Sequence, residues 1–440
     1  MRSSRMKWKL SILAPLALSA VLPVQAAQAQ IADPELSAAI ADTGMDRELR
    51  AFYAARSFRP VWMASGASIV AAERLIETLE QADLDGLDPG DYRPRRLRDA
   101  IQDARKGGVK SAARAEALIS RSFVAYVRDL NGRVASPMVS TDPDFRPEQP
   151  GAGEIMAKVA AAPSLGQFVS NNGWAHPFYA QLRRAVLQAP PGSQQARLLQ
   201  LNLDRARGLP VGKGRHVVVD TAGGRLYMFD GGKVVDSMKV IAGRPATPTP
   251  MMRSVIRYAT LNPYWNVPTD LTRSRLAPEV LAKGPSFLKA GGYDVLSDWS
   301  PEAAPTDPKL VDWQAVADGR RVVRVRQRPG IGNGMGRMKF MFPNGEDIYL
   351  HDTPEKGLFS NAGRYFSAGC VRLEDARRLG RWLFGKPLVA SSAKPEQRVD
   401  LTDPVPIYIT YFTAFPTGER VAMRADVYKR DAEALRMSMR

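Results

Sequence analysis

Cys370 is the one cysteine in 440 residues, and it stands in Ser367-Ala368-Gly369-Cys370-Val371-Arg372. Nineteen positions upstream is His351, in Tyr349-Leu350-His351-Asp352-Thr353-Pro354. A thiolate is a strong nucleophile and an imidazole can take the thiol proton, so the two together suit covalent acyl transfer. Glycine beside the thiol permits close backbone approach, which makes the N–H groups of Gly369 and Cys370 candidate donors to an oxyanion. On spacing alone, the same residues also fit a buried structural thiol beside an unrelated histidine. Three histidines and one cysteine show no paired metal-ligand spacing, so neither a metal nor another cofactor is expected.

For this chemistry a strand must carry His351 to its end, and a Gly-containing loop must set Cys370 just before a helix. A helix N-terminus there favours the thiolate, with Arg372 supporting it and Glu374 and Asp375 opposing it slightly. The sequence supplies such elements. His216–Asp220, Arg225–Phe229 and Lys233–Ile241 are short β-type runs split by Gly223-Gly224 and Gly231-Gly232, which predicts a β-meander. Strand character follows at 258–267, 320–327, 338–342 and 347–351, with a helix over 373–384 and a last strand over 405–412. Residues 270–320 read as helical and loop-rich, an insertion of about 269–326 capping the β domain. Gly243-Arg244-Pro245-Ala246-Thr247-Pro248-Thr249-Pro250 is a rigid loop without the Lys-Ser/Thr ending of a phosphate cradle.

Upstream, residues 30–207 read as helical. Ile69, Leu75, Ile76 and Leu79 share one face of one run, and Leu118, Ile119, Phe123, Val124 and Val127 share one face of another. Leu84 to Tyr92 is a turn cluster, 136–153 a Pro-rich loop, and Gly208-Leu209-Pro210 ends the last helix. His176 beside Pro177 is expected to cap or pack a helix, and His216 to be a satisfied surface or edge residue. The fold class is therefore α+β: a helical scaffold domain (30–207), then a β-rich catalytic domain (211–412) and a C-terminal extension (413–440).

Residues 1–29 read as a signal peptide. Arg2, Arg5, Lys7 and Lys9 precede an apolar run from Leu10 to Val24, and Ala27-Gln28-Ala29 is a small-x-small cleavage site. The run is shorter than the roughly 20 residues that span a bilayer, so an uncleaved anchor is the lesser reading. The formal charge is +17, and +13 without the leader. In an exported protein that excess points to a carboxylate-rich wall polymer or an anionic membrane face, as peripheral contact, and equally to a merely soluble basic surface. The basic residues are dispersed and no nucleic-acid-binding motif accompanies them, so nucleic acid is not expected as a partner.

The His351-Asp352-Thr353-Pro354 and Ser367 to Arg372 strings together resemble the active-site signature of L,D-transpeptidases with a YkuD-type catalytic domain. Further strings resemble the large periplasmic YcbB-like subgroup: Phe58-Arg59-Pro60-Val61-Trp62, Gly86 to Tyr92, Asn262 to Pro268, Gln327 to Gly330, Asn333 to Gly336 and Lys339 to Asn344. The resemblance covers most of the chain after residue 45. It implies a periplasmic acyltransferase, without cofactor, that cross-links peptidoglycan stem peptides. Cys370 is then the nucleophile and His351 the base, through a thioester at the third-position diamino acid with release of D-alanine. Arg372, Ser367, Tyr349 and Asn333 become candidates for substrate binding, Asp352 or equally a backbone carbonyl for orienting His351, and carbapenems the expected inhibitors. A carboxypeptidase or D-amino-acid exchange enzyme would use the same thioester, whereas a wall-binding scaffold would need neither residue. Two departures stand out. Ala368 occupies a position where most members carry His, and the short stretch between Ala189 and Pro210 leaves no room for a peptidoglycan-binding module.

Overall fold

A computed structural model describes residues 33–132, 138–143, 145, 149–212, 214–417 and 420–437. The leader, and part of the Pro-rich loop, lie outside the described residues.

Helices occupy the chain from Pro34–Ala41 to α1, Gln194–Ala206. Their apolar stripes face inward, with Leu75, Ile76, Leu79, Ile119, Phe123 and Val127 buried. Two of the helical strings are held by buried carboxylates. Glu116 accepts the backbone N–H groups of Val61 (2.7 Å), Trp62 (3.0 Å) and Met63 (2.8 Å) as well as the Tyr53 hydroxyl. Asp85, in the turn cluster, accepts from Tyr126 (2.7 Å), Tyr179 and Arg183 (3.0 Å). Satisfying these groups in a dry interior fixes the turns against one another.

The catalytic half is a closed barrel of eight strands: β1 His216–Asp220, β2 Arg225–Asp230, β3 Lys233–Gly243, β4 Met252–Leu261, β5 Met338–Met341, β6 Leu350–His351, β7 Val371–Leu373 and β8 Gln397–Thr410. The meander β1–β2–β3 is antiparallel, as the Gly-Gly turns require. From β3 the ring passes through β7, β6, β5, β4 and β8, which returns parallel to β1. Inward-facing Val219, Met228, Val240, Ile256, Phe340, Leu350, Val371 and Ile407 fill it. The last strand begins eight residues before the expected Val405. A register shift between Asp400 and Val405 lets it cross the irregular stretch around Pro404.

Between β4 and β5 lies the insertion. Its strands Trp265–Val267, Arg324–Gln327, Tyr293–Leu296 and Pro305–Thr306 form a separate four-stranded sheet over a core of its own that includes Leu276, Val280, Val295, Trp313 and Val325. Tyr293–Leu296 and Pro305–Thr306 are absent from the helix-and-loop expectation, whereas Arg324–Gln327 falls in the expected strand region at 320–327. Each of the two unexpected strands is short and follows turn residues, which leaves little periodic signal.

The scaffold and the barrel share one core. Phe178 packs edge-on against Tyr227, Phe229 and Phe415, and Val218, Tyr408 and Phe412 join the same cluster. His216 is buried here, contrary to the expected exposed position. Its ring stacks on Phe229, and its Nε2 lies 3.2 Å from Nε2 of His176. His176 Nδ1 accepts from Phe178 N–H, so its proton is on Nε2, and His216 Nδ1–H donates to the Gly214 carbonyl. Burial depresses both imidazoles, His216 to about 4, and the pair is neutral.

Candidate active site

Strands β6 and β7 run parallel, with Leu350 beside Val371 and His351 beside Arg372. Val371 N–H donates to the Tyr349 carbonyl at 3.1 Å, so Cys370, at the entrance to β7, lies alongside Tyr349. Helix α2, Ala376–Phe384, starts only after β7, capped by Asp375. The expected helix N-terminus is therefore a strand's length from the thiol and does not activate it. Burial instead pushes the Cys370 thiol up to about 11; Tyr349 and the Arg372 charge oppose this, while Asp347 adds to it. The thiol donates to the Asp347 carbonyl at 3.4 Å, and no hydrogen bond joins it to the imidazole.

His351 is buried, and its Nδ1 donates to the Asp352 carbonyl at 2.6 Å. A carbonyl only accepts, so Nδ1 carries the proton and Nε2 keeps its lone pair. Burial, then the Arg372 charge, lowers this imidazole to about 3. The Asp352 side chain plays no part in that orientation. Its carboxylate accepts from Arg337 N–H (3.0 Å) and Lys356 Nζ (2.8 Å), so of the two orienting groups expected it is the main-chain carbonyl that serves.

The loop before Cys370 is tied on every side. Ser367 Oγ donates to the Cys370 carbonyl (2.5 Å) and accepts Gly369 N–H (3.2 Å). Ser367 is thus spent on the turn, and Gly369 N–H is unavailable to an oxyanion. Cys370 N–H has no acceptor among the described residues. Gly369 has φ +118°, which explains the glycine. From the rigid 243–250 loop, Thr249 Oγ1 donates to the Gly369 carbonyl (2.6 Å) and accepts Gly243 N–H (2.9 Å), while Arg244 N–H reaches the Ser367 carbonyl (2.9 Å). The C-terminal segment backs that loop: Tyr428 Oη donates to the Gly243 carbonyl (2.6 Å) and Arg430 to the Thr249 carbonyl (2.9 Å). Asp431, in α3 (Arg430–Met437), pairs at 2.6 Å with Arg205 of α1. Residues 413–440 are therefore no loose appendage in their described part. Thr249 was missed because nothing in its local sequence tells its role; its partner is 120 positions away.

Thr249→Val keeps the shape and removes the hydroxyl, leaving the Gly369 carbonyl and Gly243 N–H buried without partners. Denaturant unfolding should show a loss of about 1–3 kcal/mol. An unchanged midpoint would show that the loop is held by other contacts.

Cys370, His351, Tyr349 and Arg372 open onto one cavity of about 680 Å³ between the barrel and the insertion. Trp265, Tyr293 and Trp299 face it from the insertion, and Lys339, Asp347 and Glu355 from the barrel side. Arg372 pairs with Glu355, which sequence reasoning did not single out. Tyr264 is not on the wall and lies under Arg326. Asn333 is not on it either. Its amide donates to the carbonyls of Pro263, Gln327 and Arg328 at 3.0–3.2 Å, and its oxygen accepts Met335 N–H at 2.7 Å. It pins the insertion's exit to the barrel, and the substrate-binding expectation for it is withdrawn.

A thiol at the entrance to one strand and, on the neighbouring strand, a histidine whose Nε2 keeps its lone pair share one cavity, an arrangement that suits attack on a carbonyl. Residues 214–407 match the family model of the L,D-transpeptidase catalytic domain, YkuD, and residues 47–186 match that of the Scaffold domain. The chain thus carries a Scaffold domain followed by an L,D-transpeptidase catalytic domain of the YkuD family. A curated Haemophilus influenzae protein, provisionally named an L,D-transpeptidase, is 24% identical over 397 residues, which span 88% of this chain and 78% of that one. Among solved structures, an L,D-transpeptidase from Mycobacterium smegmatis shares 14% identity at a TM-score of 0.23, covering 46% of this chain and 63% of that one. A mutant Enterococcus faecium L,D-transpeptidase shares 12% at 0.22, covering 46% and 52%. This chain thus spans about half to under two thirds of those solved chains.

Proposed function

We propose that this protein is a periplasmic transpeptidase, exported by a cleaved signal peptide, that cross-links peptidoglycan stems through a thioester on Cys370. One observation carries the reading: the only thiol and a histidine with a free Nε2 lone pair share a cavity in an L,D-transpeptidase domain. Sγ attacks the carbonyl that joins the third-position diamino acid to the terminal D-alanine. His351 Nε2 takes the thiol proton and passes it to the leaving amine. The C–N bond breaks, D-alanine departs and the thioester remains. An amine of a neighbouring stem then attacks the thioester, and the thiolate leaves and is reprotonated. Cys370 N–H is the backbone donor for the oxyanion. Arg372 meets the carboxylate of the diamino acid, which displaces Glu355 from it.

A carbapenem should acylate the protein one-to-one, seen as a single mass increment that peptide mapping places on Cys370. Absence of that adduct, with a labelled L,D-transpeptidase alongside, overturns the thioester mechanism. Muropeptide analysis of a wall that lacks such links, after expression of this chain, identifies the acceptor: a new cross-link supports transpeptidation, and shortened stems alone would make it a carboxypeptidase.

A further inference from the structure

Pro354 on the active-site wall is also a wall of a second cavity, of about 400 Å³, bounded by Asp352, Lys356, Arg337 and Arg377. Arg337 and Arg377 in turn line a third, of about 370 Å³, with Arg381 beside them and buried Leu261 and Met338 among its walls. The three cavities follow one another from Cys370 as far as helix α2.

The carboxylates bordering this groove are committed elsewhere. Asp352 serves Lys356 and Arg337 N–H; Glu374 accepts Lys239 N–H at 3.0 Å; Asp375 caps α2 through Arg378 N–H at 3.0 Å. Arg378, on the same helix, pairs with Asp236 at 3.5 Å. The guanidinium groups of Arg337, Arg377 and Arg381 have no carboxylate partner among the described residues. Arg377 also stands in the first turn of α2, where the helix dipole disfavours a cation. Three like charges around one small cavity repel one another, and an anion entering it relieves that repulsion. Guanidinium groups hold carboxylates through paired N–H bonds, and the apolar walls suit an aliphatic segment.

We propose that this groove is a second binding site for peptidoglycan, where Arg337, Arg377 and Arg381 hold the carboxylates of a stem other than the one reacting at Cys370. The inference rests on the proposed substrate. Stems carrying carboxylates recur along a wall strand, so a strand with one stem at Cys370 offers others to a groove that begins at Pro354. Such a site supplies wall affinity that the short stretch between Ala189 and Pro210 is not long enough to provide as a module.

The test uses the full chain and the double variant Arg377→Glu/Arg381→Glu, whose side chains are exposed, so folding is retained. Cosedimentation with purified sacculi should show an affinity at least about tenfold below that of the unaltered protein. Carbapenem acylation of Cys370 should stay within about twofold, because the small inhibitor does not reach the groove. Sacculi whose carboxylates have been amidated with carbodiimide should bind the unaltered protein as weakly as the variant binds native sacculi. Equal binding of variant and unaltered protein overturns the proposal, as does undiminished binding to amidated sacculi. A loss confined to phosphatidylglycerol vesicles, with sacculus binding intact, assigns the groove to a membrane and overturns it too. Failure of the unaltered protein to form the carbapenem adduct condemns the thioester reading, while the sacculus measurements still report on the groove.

Discussion

Cys370→Ser should leave cross-linking below detection while the protein stays folded. The reason lies in the resting protonation of the site. With the thiol near 11 and the imidazole near 3, both are neutral at pH 7, and full proton transfer before attack is strongly uphill. The proton can move only as sulfur closes on the carbonyl. A thiol tolerates this because its conjugate base is intrinsically nucleophilic; a hydroxyl, several orders less acidic, does not. Product analysis by mass spectrometry, with a circular-dichroism melt to verify folding, decides it. A serine variant with appreciable cross-linking would remove Cys370 from the chemistry.

His351→Ala should slow acylation at neutral pH by at least roughly a hundredfold, with little change in substrate binding. The pH profile is more diagnostic. In the unaltered protein the reactive form is neutral thiol with neutral imidazole. It predominates above the His351 value of about 3 and below the Cys370 value of about 11, so the rate should be level from about pH 5 to 9. Without the imidazole only pre-formed thiolate reacts. The rate should then climb about tenfold per pH unit toward the thiol value. Ala368 leaves no second histidine in the loop to take over. A variant with a level profile and the original rate would show that another group accepts the proton.

Cys370 and His351 were legible because each is chemically rare in this chain, and so were the β-meander and amphipathic helices, whose signals are local. What surrounds the thiol was not. Asp352 and Asn333 carry the right functional groups, yet one carboxylate turns to Lys356 and the amide turns to three main-chain carbonyls. Side-chain direction is decided by packing, and no spacing rule reports it. The Thr249–Gly369 tie and the Tyr428–Gly243 tie join segments 120 and 185 positions apart. The thiol's environment was misjudged for a related reason: three residues, Val371 to Leu373, enter the barrel as a strand before the helix begins. That segment completes the β3–β7–β6 ladder, and strand pairing takes Leu373, read as the first helical residue, into the sheet.

The shared core of Phe178, Phe229, Tyr408 and Phe412 has a consequence for how such a chain could be cut or recombined. The sequence border near residue 210 divides two family segments, but no seam in the packing follows it. Freed from the helices, the barrel would turn Val218, Phe229 and Phe412 toward water as a sticky face. Freed from the barrel, the helices would lose the aromatic ring that closes around Phe178. The shared core makes the two segments one packing unit: they should melt in a single transition, and swapping either for a homologue's would require its partner's aromatic face to come with it.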